Sequence, residues 1–216
     1  MKHCFYYLYL LLLVTSHVKA SNFIEQLTLM DSALMSCIKA QAELNNWKKI
    51  DQIHTVKCHG MKIKCTKGLA SFVNLKSLSL YNNKLTDIDL HNLVKLEYVN
   101  VANNQLKTIN LSALTNLETL YLFKNKLVNI DFTDLVQLKK IRITNNRLTS
   151  LDISPLISLE KAYFFNNKLN DLIVKGLPKL KFIELRQNPM TDEVYERYDE
   201  LEGITIIHDG NADDWK

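Results

Sequence analysis

Glycine and proline are scarce in this chain, five and three among 216 residues. So few glycines argue against the loops that cradle nucleotide phosphates, which need several close together. A strong charge of one sign is also missing: 27 basic and 23 acidic residues give a net charge of +4, without the basic footprint of a nucleic-acid-binding protein. After residue 20 no apolar stretch approaches the ~20 residues that a membrane-spanning helix needs. Metal ligands are thin. His54, His59, His91 and His208 are scattered, and Cys58, His59 and Cys65 fall short of a closed four-ligand zinc site. The acidic tail from Asp209 to Asp214 opens like a calcium loop but lacks its central glycine and closing glutamate. Neither a Ser-His-Asp arrangement nor a paired-carboxylate cleft can be read. The expectation is a chain without catalysis, cofactor or metal.

The first 20 residues read as an export signal. Lys2 and His3 form a polar start, Phe5 to Val14 is apolar, and Val18-Lys19-Ala20 offers a small-residue cut after Ala20. Taking Lys2 and Lys19 from the basic total leaves a mature net charge near +2, which implies neither nucleic acid nor strong membrane steering. The predicted location is secreted, periplasmic or cell-surface, with no integral membrane segment in the mature chain. Asn110-Leu111-Ser112 fits a glycosylation acceptor if the source modifies exported proteins.

What the chain does have is a period. Leucine recurs every 21 residues at Leu75, Leu96, Leu117, Leu138, Leu159, Leu180 and Leu201, and asparagine keeps step at Asn83, Asn104, Asn125, Asn146, Asn167 and Asn188. A fixed interval of this length signals a solenoid of stacked units. Within one unit, alternation around Leu78 and Leu80 marks a half-buried strand. Spacing by threes at Leu90, Leu93 and Leu96 suits a short 3₁₀ turn on the return arm. The asparagine sits where the chain leaves the strand, and its amide can both donate and accept, so a ladder of such residues binds neighbouring turns.

One unit buries too little to stand alone, so stability must come from the interfaces between units and both ends need caps. Asp31 to Leu44 reads as a helix with Leu34, Cys37 and Ile38 on one side. A degenerate unit follows through Ile53, Val56, Cys58, Met61, Ile63, Leu69 and Phe72. Cys58 is the counterpart of the inward Leu80, and a helix over the open end would bring Cys37 against it. Cys37–Cys58 is the expected disulfide with Cys65 left over, and pairing of Cys65 is the competing arrangement. After Asn188-Pro189, residues Thr191 to Leu201 suggest a helix with Thr191 as N-cap, then a last strand around Ile204 and Ile206. The expected organisation is a signal (1–20), an N-terminal cap (21–74), regular repeats (75–190) and a C-terminal cap with tail (191–216).

The pattern LxxLxLxxNxL carried by these units resembles the leucine-rich repeat family over about Ile53 to Ile207. Turns such as Thr86-Asp87-Ile88-Asp89-Leu90 make it similar to the short-repeat, internalin-like bacterial subclass. The Cys37…Trp47…Cys58 cap is similar to small secreted leucine-rich repeat proteins of Gram-negative bacteria. The resemblance implies an α/β solenoid: a curved right-handed coil with a parallel sheet on the concave face, short 3₁₀ or irregular returns on the convex face, and protein recognition through the concave face. Internalin-type cell-wall sorting sequences are not found, so attachment to a Gram-positive wall is not carried over.

Between the inward leucines, outward positions form three columns. They run Ser77, Tyr98, Thr119, Lys140, Lys161, Phe182; Ser79, Asn100, Tyr121, Arg142, Tyr163, Glu184; and Tyr81, Ala102, Phe123, Thr144, Phe165, Arg186. Seven of these positions are aromatic, four basic and one acidic. Period two points them away from the core, and aromatic and arginine residues are favoured interface anchors. Arg142 is expected between the rings of Tyr121 and Tyr163. The rival reading is that strand propensity alone selects rings that pack on one another. The predicted partner-binding residues are Tyr81, Tyr98, Tyr121, Phe123, Lys140, Arg142, Lys161, Tyr163, Phe165, Phe182 and Arg186. The predicted function is non-catalytic binding of a protein partner by a monomer. The alternatives are a self-associating matrix protein and an inhibitor or glycan binder.

Overall fold

A computed structural model describes residues 31–210; the export signal read at residues 1–20 and the end of the acidic tail lie outside them. Eight three-residue strands form one parallel sheet in chain order, an α/β solenoid of about seven turns. They are β1 (Thr55–Lys57), β2 (Ser77–Ser79), β3 (Tyr98–Asn100), β4 (Thr119–Tyr121), β5 (Lys140–Arg142), β6 (Lys161–Tyr163), β7 (Phe182–Glu184) and β8 (Thr205–Ile207). The register puts Val56, Leu78, Val99, Leu120, Ile141, Ala162, Ile183 and Ile206 side by side. All eight are buried, as are the next inward residues, Leu80, Val101, Leu122, Ile143, Phe164 and Leu185. Among the inward residues of the degenerate unit only Met61 departs from expectation, at 38% exposed.

The recurring asparagines work through the backbone, not through one another. Asn125 Nδ2 donates to Leu122 O in its own turn and to Val101 O in the turn before, each at 3.0 Å. Its Oδ1 accepts from Leu106 N at 3.0 Å. The other five repeat this arrangement, each 5–9% exposed. The residue just before each asparagine has positive φ, between 55° and 59° at Asn82, Asn103, Lys124, Asn145, Asn166 and Gln187. Asparagine tolerates this left-handed region better than most residues, which explains the doubled asparagines. Two pairs of these outer residues add exposed amide-to-amide bonds, Asn103 Nδ2 to Asn82 Oδ1 (2.7 Å) and Asn166 Nδ2 to Asn145 Oδ1 (2.9 Å).

The returns are successive turns more than 3₁₀ helix. Leu93 N donates to Leu90 O and Leu96 N to Leu93 O, but Asn92 between them has φ 65°, which a continuous 3₁₀ helix does not allow. Ala113 (φ 63°) and Gly176 (φ 88°) interrupt later returns in the same way. Among the described repeats only Leu69–Ser71 forms a 3₁₀ turn on the return.

Helix α1 (Ser32–Leu44) closes the first end, its Leu34, Cys37, Ile38 and Ala42 turned onto the core. Asp31 caps it by accepting from Ala33 N and Leu34 N, while its second oxygen accepts from Lys64 N and Cys65 N. Burial alone would raise this carboxyl, but those four amides hold it below the usual range. Cys37 and Cys58 are joined by a disulfide, and Cys65 is free. The Gln41 amide seals the outer edge of β1, donating to Lys57 O at 3.2 Å and accepting from Lys57 N at 3.1 Å.

Helix α2 (Asp192–Asp199) closes the other end. Thr191 is its N-cap residue by position, yet its side chain makes no capping hydrogen bond. The anchor is Tyr198, 2% exposed, whose hydroxyl donates to Leu172 O (2.9 Å) and accepts from Leu172 N (3.0 Å). Burial, aided by nearby Asp171, pushes this hydroxyl up to about 12, against about 10 in an unfolded chain. Between those values the folded chain keeps a proton that the unfolded chain has lost. The contribution is therefore complete below about pH 10 and is lost as pH rises through the folded value. Tyr198→Phe is expected to cost about 1–2 kcal/mol near neutrality. In alkaline melts the gap between native and variant should narrow from pH 10 to 12; a constant gap would contradict this assignment.

Candidate functional site

Three-residue strands in register convert the 21-residue period into a surface, since first residues pair with first and third with third. Tyr81, Tyr98, Tyr121, Phe123, Lys140, Tyr163, Phe165, Phe182 and Arg186 are half-buried, and Arg142 and Lys161 are exposed. Four positions counted as outward are instead buried: Ser79, Ala102, Thr144 and Glu184, at 3, 0, 4 and 8% exposure. Over Ala102 the covering groups are aromatic rings. The Tyr81 and Phe123 centroids are 6.1 Å apart across the intervening Ala102, whereas strands two apart are separated by about 9.5 Å. The rings lean together because the residue between them is small.

Side-chain contacts run diagonally, because strand side chains lean along the chain direction. Tyr98 meets Tyr121 edge-on at 5.8 Å, and Tyr163 meets Phe182 at 5.2 Å with a 42° tilt. Arg142 does not lie between Tyr121 and Tyr163. Its guanidinium sits over Phe123, 4.9 Å from the ring centroid, while Lys140 Nζ lies 5.6 Å from the Tyr121 centroid. Both are attractive cation–ring contacts. Tyr121, Phe123, Lys140, Arg142 and Tyr163 together line a shallow open depression.

The basic residues divide into two kinds. Arg186 is spoken for: Nε and Nη2 each lie 2.8 Å from a Glu184 carboxylate oxygen. That hydrogen bonding, reinforced by the opposite charge, raises the guanidinium further above its already high value. Lys140 and Lys161 are lateral partners on β5 and β6, and Arg142 ends β5. Among the described residues none of these three is in an ion pair.

His59 Nε2 lies 2.7 Å from Ser79 Oγ at the N-terminal end of the face. Its ring also meets Tyr81 edge-on at 5.9 Å. Nucleophile chemistry would need an accessible hydroxyl, and Ser79 is 3% exposed, so the contact reads as packing of the sheet face. Among the described residues no group of His, Cys, Asp or Glu is placed to hold a metal ion, and no helix is long and apolar enough to cross a membrane.

Sequence reasoning passed over a second apolar column, on the return arms. Val73, Val94, Val136 and Ile157 recur in phase and are 49, 43, 40 and 52% exposed. The signal was available, since each follows an inward residue of its repeat (Phe72, Leu93, Leu135, Leu156).

Residues 73–113 match the family described as Leucine Rich repeats (2 copies). No curated protein sequence matches the chain. Among solved structures it is similar to an LRR protein of Leptospira interrogans, with 27% identity and a TM-score of 0.63 over 66% of this chain and 39% of that one. It is also similar to two proteins of Listeria monocytogenes. An internalin, inlF, gives 21% identity and a TM-score of 0.59 over 86% of this chain and 65% of that one. Internalin C2 gives 24% identity and a TM-score of 0.58 over 86% and 96%. The chain thus spans less than two thirds of the first two, and its likeness to the internalins is one of fold.

Proposed function

The chain is a leucine-rich repeat protein with an internalin-like fold, and from that premise we propose that it binds a protein partner through the sheet face centred on Tyr121 to Phe165, the concave side of the solenoid. Proteins of this type are generally protein-interaction modules. The observation that carries the reading is the composition of β4 to β7: half-buried rings interleaved with cations that no carboxylate answers among the described residues. Rings of this kind lose little conformational freedom on binding and make strong anchors.

Tyr98 and Tyr121 meet edge-on, and cations sit over the rings of Tyr121 and Phe123. That arrangement favours a protein over a glycan, which would stack on open ring faces. Gln41 across the β1 edge argues against self-association there, because a satisfied edge is a poor template for another strand. Catalysis forms no part of the proposal. Export is part of it: a Cys37–Cys58 disulfide suits an oxidising compartment outside the cytosol.

Capture from the exporting cell's surroundings with residues 21–216, beside a Tyr121→Ala/Phe165→Ala variant, tests the reading. The captured protein should bind the double variant about thirtyfold more weakly or worse, the ~2 kcal/mol expected of anchors. Equal binding by both would remove the concave-face proposal.

A further inference from the structure

Building on the concave-face reading, we infer that the partner presents an acidic protein segment, carboxylates interspersed with aromatic or apolar residues, to Lys140, Arg142 and Lys161. Flanking the same sheet, three cations meet carboxylates of this chain. Lys76 meets Glu97 at 2.8 Å, Lys139 meets Glu118 at 2.7 Å, and Arg186 meets Glu184 at 2.8 Å. The three cations of β5 and β6 have no such partner among the described residues, although two of them, Lys140 and Lys161, stand side by side. Like charges on neighbouring strands are destabilising, and an arriving carboxylate relieves them.

Two of the three are also positioned. Lys140 lies over the Tyr121 ring and Arg142 over the Phe123 ring. Their charges are therefore carried on an aromatic floor and need less ordering when a ligand arrives. Arg142 is exposed, with its fork available for a bidentate carboxylate. The surrounding rings of Tyr121, Phe123, Tyr163 and Phe182 supply apolar contact for residues between the acids. The excess of charge is local, because the chain as a whole is close to balance. Three cations are also too few for the long phosphate track that nucleic-acid affinity requires.

The test uses residues 21–216 and, as probe, a labelled random copolymer of glutamate and tyrosine, with a lysine–tyrosine copolymer and a sulfated oligosaccharide in parallel arms. Lys140→Ser/Arg142→Ser/Lys161→Ser removes the cluster. Lys107→Ser/Lys168→Ser/Lys175→Ser removes the same charge from exposed sites off the face. Circular dichroism confirms that both variants are folded. The expected result is preference for the acidic copolymer, at least tenfold weaker binding by the cluster variant, less than twofold change in the control, and weakening with added salt.

Failure to prefer the acidic copolymer, equal loss in the control, or binding of the sulfated oligosaccharide alone would each overturn the inference. The Tyr121→Ala/Phe165→Ala variant separates the two readings. If both copolymers bind alike but lose affinity in that variant, the concave face stands and the acidic partner falls. If it binds both copolymers as the native chain does, the concave face falls as well.

Discussion

Asn125→Ala should lower stability by about 3–5 kcal/mol, a large share of what a domain of this size has to lose. Asn125 is 8% exposed, and its side chain makes three hydrogen bonds, donating to Leu122 O and Val101 O and accepting from Leu106 N. Alanine leaves two carbonyls and one amide N–H unpaired where water does not reach, and each such group costs about 1–3 kcal/mol with incomplete additivity. Two of the three bonds cross to the preceding turn, so the loss falls on the interface between repeats, where a solenoid keeps its stability. Asn129, four residues later, is exposed and makes no comparable bonds, so Asn129→Ala should change stability by less than about 0.5 kcal/mol. Urea melts of the two variants decide the matter: equal midpoints would mean that the buried amide is replaceable by water or by relaxation of the turn.

The same residue shows how far the sequence could be read. A 21-residue interval determined that the strands stack in parallel and in register, because any slip would turn Leu78 and its equivalents out of the core. It also picked out Cys58 as an inward position within reach of the capping helix. The interval could not reveal that the asparagine's partners are backbone groups one turn back, since backbone groups leave no trace in composition. Positive φ at Asn82 and its equivalents was visible only as a doubled asparagine. On the outward face the residue types were readable but their contacts were not. Rings choose neighbours by the free space beside them, and burial of Ala102 beneath Tyr81 and Phe123 depends on a lean that period-two reasoning leaves out. For the same reason Arg142 found Phe123, diagonally placed, in preference to the flanking tyrosines. The caps were recognisable as helices, but Gln41 and Tyr198 act through single polar atoms with no repeat to mark them.

Breaking the Cys37–Cys58 bond should cost about 3 kcal/mol, the chain-entropy value for a closed loop of some twenty residues. The loss should be felt unevenly. The bond ties α1 to the end of β1, where Cys37 and Cys58 are 7 and 0% exposed and Ile53, Val56 and Ile63 lie fully buried. Once the helix loosens, those side chains and the Lys57 edge, bridged by Gln41, face solvent. A nearest-neighbour array frays from the end that has lost its cap, so hydrogen exchange under a reducing agent should rise first at β1 and β2 while β5 to β7 stay protected. The Cys37→Ala/Cys58→Ala variant should reproduce this without reductant. Cys65→Ala should leave both stability and exchange unchanged, because Cys65 is the free thiol. A uniform rise in exchange over all eight strands would show that the solenoid opens as a single unit, and an unchanged melting midpoint would show that the helix holds the end closed without the sulfur bridge.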